Sequence, residues 1–222
     1  KLIKFGLPSG VHFFLDIAAF SIFVLIIGRL GTAELAATNI ALNASMISFM
    51  PMIGLSIAVS VLVGQSLGAN RPYMANRATL AALHMGFIYM GIIAIFILAL
   101  PVIFIYPFEA NADPLEFVEI RVHVIPAMKF VAAWAIFDSA GIIVSSALKG
   151  AGDTKFIMFA ISGLSLAVLI LPTYVAIEIF DLGLKAGWSA GLAYIISLGI
   201  VFTLRYRTGK WQSMRVIEHT DS

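Results

Sequence analysis

The sequence predicts an all-α integral membrane protein, a bundle of six transmembrane helices. Of its 222 residues 61% are hydrophobic and only 12% charged, with a mean hydropathy of +1.01, whereas a soluble domain carries about 25% charged residues. Apolar runs near twenty residues recur, the length that crosses a hydrocarbon core about 30 Å thick as a helix. They rarely alternate with period two, so the spanning units read as helices and not as the strands of an outer-membrane barrel.

The six runs are, in order, Leu7 to Ile27, Leu35 to Leu67, Met74 to Leu100, Val122 to Leu148, Thr154 to Ile179 and Leu184 to Leu204. Pro8 and Pro72 suit first-turn positions, where the missing N–H is not needed. The second run is long enough to tilt, to kink at Pro51 or to begin with a surface turn. Ser56, Ser60 and Gly64 form a small-xxx-small stripe along it, a packing feature that lets helices approach closely. Between the fourth and fifth runs, Gly150-Ala151-Gly152-Asp153-Thr154 reads as a tight turn: the glycines end one helix and Asp153 caps the next. The domain organisation is therefore one bundle over residues 1–210 and a cytoplasmic tail over 211–222.

Basic residues set the orientation. Ten lie on one side, Lys1, Lys4, Arg71, Arg77, Lys149, Lys155, Arg205, Arg207, Lys210 and Arg215; three lie on the other, Arg29, Arg121 and Lys185. Lys129 falls near the outer end of the fourth span. Both termini are then cytoplasmic, in an inner or plasma membrane. The opposite face collects Glu34, Glu109, Asp113, Glu116, Glu119, Glu178 and Asp181, a solvated acidic rim rather than a metal site. Trp188, Tyr206 and Trp211 fall near interfaces, where amphipathic aromatics are expected. A net charge of +2 is too small to argue for nucleic acid, and the absence of cysteine removes disulfides, thiol nucleophiles and thiolate metal sites. The chain opens on Lys1 with no signal-peptide pattern, and reads as a piece of something longer.

Asp16 and Asp138 are the only acidic residues well inside these apolar segments, Glu178 falling at the very end of the fifth. A charged side chain at bilayer depth costs roughly 2.5 to 3.5 kcal/mol on insertion scales, which marks both as candidate functional groups. At 1.5 Å per residue, Asp16 lies about 12 Å and Asp138 about 16 Å from the cytoplasmic helix ends, so a shared polar pocket near the midplane is the economical arrangement. His12, one turn before Asp16, reads either as a relay partner or as a histidine reaching interfacial water. His84 shares the aspartates' depth, with a buried structural hydrogen bond as the plainer reading. Trp134, one turn before Asp138, either walls the pocket or packs in the core or against lipid. Asn43 suits a helix–helix hydrogen bond better than ion coordination. No P-loop, Gly-x-Ser-x-Gly or His-Glu-x-x-His motif is present, and Asp138-Ser139 is no nucleophile pair because consecutive helix residues point apart.

Several stretches together resemble the second six-helix half of the multidrug and toxic compound extrusion (MATE) family. They are Gly6-Leu7-Pro8, Met50-Pro51-Met52-Ile53-Gly54-Leu55 continuing to Val63-Gly64-Gln65-Ser66-Leu67-Gly68-Ala69, and Leu148-Lys149-Gly150-Ala151-Gly152-Asp153-Thr154. The resemblance implies one half of a twelve-helix, pseudo-symmetric transporter that exports organic, often cationic compounds in exchange for sodium ions or protons by alternating access. It implies a partner N-terminal six-helix half, a surrounding of membrane lipid, and no tightly bound cofactor beyond the coupling ion. It also implies a cation site formed by an acidic residue of the first helix, matched by Asp16, and an aspartate of the fourth, matched by Asp138. Where the family can carry tyrosine a turn earlier, this chain has Trp134, which offers no oxygen to a metal ion.

The leading expectation is thus the half of a cation-coupled exporter that carries Asp16 and Asp138 as its cation site. The rivals are a lipid-linked saccharide flippase of the same superfamily, which needs cationic residues for pyrophosphate and finds no clearly central Lys or Arg here, and a non-transporting membrane scaffold. An intramembrane enzyme would need the two carboxylates as a close acid–base pair; the expectation is that the chain is no enzyme.

Overall fold

The computed structural model describes residues 2–214, and the side chains among them except those of residues 2–9 and 12. The described residues are helical with no strand: α1 (Leu2–Ile27), α2 (Thr32–Gly68), α3 (Pro72–Ala99), a short α4 (Pro101–Glu109), α5 (Pro114–Ala151), α6 (Thr154–Ile179) and α7 (Leu184–Arg207), closed by a 3-10 turn at Lys210–Ser213. Five of them, α2, α3, α5, α6 and α7, are long and apolar enough to cross a membrane, and α1 is apolar over Phe13–Ile27.

Three boundaries depart from the apolar runs, the first at α1, which starts at Leu2 and not Leu7, so that Pro8 lies in its second turn and not its first. Pro101 forces the residue before it out of helical geometry, and Leu100 sits at φ −132° and ψ 51°, so a new helix, α4, starts at once. The fourth long helix then begins at Pro114, before the apolar run, because Asp113 accepts a hydrogen bond from Leu115 N–H at 2.8 Å and Pro114 occupies the first turn. Helix propensity carries α5 through Glu116, Glu119 and Arg121, residues that a hydropathy reading assigns to the rim. At 38 residues α5 is about 57 Å long at 1.5 Å per residue, well beyond a membrane core.

α5 is the hub. It packs on α2, α3 and α7, whereas α1 is attached mainly through α6. Lipid tails are as apolar as leucine, so helices associate through close packing and not through the hydrophobic effect. The buried faces accordingly use small residues: Ala33, Ala37, Ala41 and Ala44 on α2, Ala127, Ala132, Ala135 and Ala147 on α5. Ser60 and Gly64 of the small-residue stripe meet Gly150: a Cβ at Gly150 would strike the Ser60 carbonyl oxygen and lie 3.0 Å from its Cα, and one at Gly64 would lie 3.2 Å from the Gly150 carbonyl. α2 runs through Pro51 unbroken, and a turn earlier the Ser48 carbonyl accepts the Tyr89 hydroxyl of α3 at 3.0 Å.

The turn after α5 has the expected glycine geometry. Gly152 adopts φ +96°, its N–H and that of Asp153 closing on the carbonyls of Lys149 and Leu148. Asp153 does not cap α6. Its carboxylate instead accepts the Arg205 Nε–H of α7 at 2.7 Å, and the Arg205 guanidinium lies over the Phe156 ring at 4.8 Å. Chain beyond residue 210 stays on the bundle at first: Trp211 is buried, stacked on Tyr206 at 4.7 Å, with its indole N–H donated to the Tyr206 carbonyl. Trp188 is buried as well, 1% exposed among the helices.

α6 is irregular. Its segments Ser165–Ile170 and Val175–Ile179 are π-helical, separated by Leu171–Tyr174 with Pro172, and single wide turns of this kind often accompany functional sites.

The Gly150 contact gives a direct expectation. Gly150→Ala should destabilise the bundle by about 1–3 kcal/mol, the usual penalty of forcing atoms into a filled interface, and Gly64→Ala by less, since its neighbour needs to yield only a few tenths of an ångström. Thermal unfolding of each variant in detergent checks the order.

Candidate functional site

Asp16 and Asp138 come from α1 and α5, two helices that run in opposite directions. Phe20 follows Asp16 by one turn and Trp134 precedes Asp138 by one turn, so on antiparallel helices each aromatic lies one turn to the same side of its aspartate. The Phe20 and Trp134 rings meet at 5.5 Å between centroids. That contact fits a register in which the two carboxylates lie at one level.

A third helix closes the arrangement. The Tyr194 hydroxyl of α7 donates to the Asp16 Oδ1 at 3.4 Å, and Tyr194 is within electrostatic reach of both carboxylates, as they are of each other. The Trp134 indole N–H interacts with the Asp138 carboxylate one turn along the same helix. Around the pair stands an aromatic wall. Trp134 packs on Trp188 at 6.0 Å, Phe20 on Tyr194 at 6.2 Å, and Phe23 and Phe130 on Trp188 at 6.2 and 6.3 Å. Such a wall lowers the dielectric on its side of the pair, which strengthens charge interactions there, while both carboxylates stay half-exposed. Trp188 Nε1 and the Ser139 hydroxyl are buried without a hydrogen-bond partner; the hydroxyl points at Gly86 of α3, where a Cβ would lie 2.6 Å from it.

On its other side Asp16 borders a groove of about 600 Å³, lined by Ile17, Phe20, Ser21, Val24 and Leu25 of α1 and by Met46 of α2. The carboxylate is the one charged group on this apolar lining. Its position gives it two faces, one toward Asp138 and Tyr194 and one toward the groove.

The remaining expected residues distribute differently. The side chain of His12 lies outside the described residues. His84 is exposed on α3, and Asn43 is exposed with its amide donated to the Asn39 carbonyl at 2.8 Å; among the described residues neither bonds to either aspartate. Trp134 is buried and walls the pair. Two participants were not anticipated. Tyr194 carries a hydroxyl halfway along an apolar helix, where it needs a polar partner, and that was the available signal. Lys149, read as a residue of the helix end, is half-buried and close enough for its charge to act on Asp16; nothing in its local sequence marks that.

The donors fit a small hard cation. Two carboxylates and a phenol supply only oxygen ligands, the preference of hard ions, while Trp134 can donate but not ligate. Among the described residues no three of His, Cys, Asp and Glu come together, so further oxygens would have to come from backbone carbonyls or water.

Comparison with known proteins gives a consistent result. The family model described as MatE matches residues 8–175. The chain is 30% identical over 210 residues to "Probable multidrug resistance protein NorM" of Mesorhizobium japonicum, covering 92% of this chain and 44% of that protein. It is 28% identical over 213 residues to the protein of the same name from Shewanella oneidensis, covering 93% and 45%. In fold it is similar to a MOP superfamily transporter from Pyrococcus furiosus, with a TM-score of 0.85 at 18% identity over 96% of this chain and 47% of that one, and to a MATE structure in the bent conformation, with a TM-score of 0.83 at 19% identity over 95% and 46%. The chain spans about half the length of the relatives it matches. By the match over residues 8–175, three quarters of its length, this chain belongs to the MatE family.

Proposed function

We propose that this chain is the cation-site half of an antiporter that exports organic, often cationic compounds. The observation that carries the reading is the Asp16–Tyr194–Asp138 cluster, an oxygen-rich group at one level inside an aromatic wall with Asp16 also bordering an open apolar groove. Transport is the coupling of two binding events through a change of conformation, and a ligand shifts that equilibrium only by its differential affinity for the two states. A sodium ion or proton that neutralises the pair stabilises the arrangement in which α1, α5 and α7 hold it together. An organic cation in the groove uses the same Asp16 charge from the other side and favours the arrangement in which the ion is released. Lys149 acts as a built-in counter-charge that keeps Asp16 from holding the ion too tightly.

The reading includes a partner half that completes the cleft, both termini on the cytoplasmic side, and residence in an inner or plasma membrane. The ten-to-three distribution of basic residues supports the orientation.

Four outcomes are expected. Asp16→Asn and Asp138→Asn should each reduce sodium- and pH-dependent drug efflux in the complete transporter by roughly tenfold or more while membrane abundance holds, since removing a buried charge eases insertion; coupling that survives in both variants would remove the pair from the mechanism. Tyr194→Phe deletes one hydrogen bond of about 1 kcal/mol, so ion affinity should fall about fivefold, read by sodium-dependent fluorescence or calorimetry. Lys149→Gln should strengthen ion binding in the same assay, because the charge opposing an incoming cation is gone. Single cysteines at Asn111 and Gly209 should label from opposite sides of sealed vesicles, with Gly209 on the cytoplasmic side.

A further inference from the structure

A second groove lies between α5 and α7. α6 reverses the direction of α5 and α7 starts where α6 ends, so α5 and α7 run parallel from the same face of the bundle. The groove between them has a volume of about 410 Å³ and is lined by Pro126, Lys129, Phe130 and Ala133 of α5 and by Lys185 and Leu192 of α7. No acidic residue lines it. Both lysines are exposed, and among the described residues neither ammonium has a carboxylate within 4.0 Å.

The order of these residues along the membrane normal is informative. Ala133 lies one turn beyond Lys129 and Leu192 two turns beyond Lys185, about 6 Å and 10 Å deeper on the 1.5 Å rise. Lys185 is the second residue of its helix, so this groove opens at the level where α7 enters the membrane, cationic at its mouth and apolar below. A soluble anion would use only the mouth and leave the Phe130, Ala133 and Leu192 surface unmatched. An amphiphile with an anionic head matches both parts.

We propose that the α5–α7 groove binds an anionic phospholipid of the surrounding membrane, its phosphate between Lys129 and Lys185 and one acyl chain along Phe130, Ala133 and Leu192. The site lies on a different helix pair from the Asp16 groove and does not depend on the transport reading. Occupancy joins α5 to α7 at the end opposite the Asp153–Arg205 ion pair.

The test uses the intact protein that contains this chain, purified into nanodiscs of mixed phosphatidylglycerol and phosphatidylcholine and read by native mass spectrometry. Two basic contacts lead us to expect about a tenfold or greater retention of phosphatidylglycerol over phosphatidylcholine. The Lys129→Gln/Lys185→Gln double variant should lose that preference, Lys129→Arg/Lys185→Arg should keep it, and Ala133→Phe, which fills the apolar part, should lower retention with both charges in place. Inorganic phosphate at millimolar concentration should not displace the lipid. Equal retention of the two lipids, a preference that survives the double Gln variant, or displacement by inorganic phosphate would each overturn the proposal. If the double Gln variant fails to fold, the comparison of wild type, double Arg and Ala133→Phe decides: retention undiminished in Ala133→Phe, or no lipid preference in wild type, overturns it.

Discussion

The close approach of α2 and α5 is the contact on which the other helices depend. In lipid no hydrophobic force draws helices together, so the distance at which two backbones can meet decides which pair forms the centre. Ser60 and Gly64 against Gly150, with the alanines on both faces, let the α2 and α5 backbones approach closely. With α5 seated there, its remaining faces are free for α3 and α7. α1 is then held at the side through α6, close enough for Phe20 to reach Trp134.

The same construction explains how two carboxylates persist inside an apolar bundle. Each keeps at least one polar neighbour within the protein, Tyr194 for Asp16 and Trp134 for Asp138. The helices that supply those neighbours pack through aromatic rings whose edges and faces interlock. The site is therefore assembled from three helices that are far apart in sequence, Asp16 and Tyr194 being 178 positions apart. Movement of α1 against α5 and α7 must change the cluster, because Phe20 and Asp16 sit on the same face of the moving element.

Much of the bundle was legible from apolar length and glycine or proline punctuation, since the membrane leaves few alternatives to a helix. What hydropathy missed was helix continuing through charge. Glu116, Glu119 and Arg121 precede the apolar run, where propensity and the Asp113 cap decide, so α5 begins earlier than that run. Asp153 was misread for a related reason: local sequence offers it a capping role, and a partner 52 residues away, Arg205, outcompetes that role with a charged hydrogen bond. Asp16 and Asp138 were visible because charge is rare at their depth. The influence of Lys149 on Asp16 was not, because a lysine beside a helix-ending glycine reads the same whether or not a carboxylate lies within reach of its charge.

The Asp153–Arg205 ion pair has a mechanical consequence. Its carboxylate is 8% exposed and its distance is 2.7 Å, and it ties the α5–α6 turn to the end of α7. At the opposite face the ion pairs are more open: Arg29 to Glu178 at 3.0 Å and Arg121 to Glu109 at 3.2 Å, with arginines 64% and 45% exposed. Exposed pairs are screened by salt and worth little. The bundle is thus riveted at one end and only laced at the other, and a torque applied across it would splay the laced end first, with the riveted turn as the fulcrum.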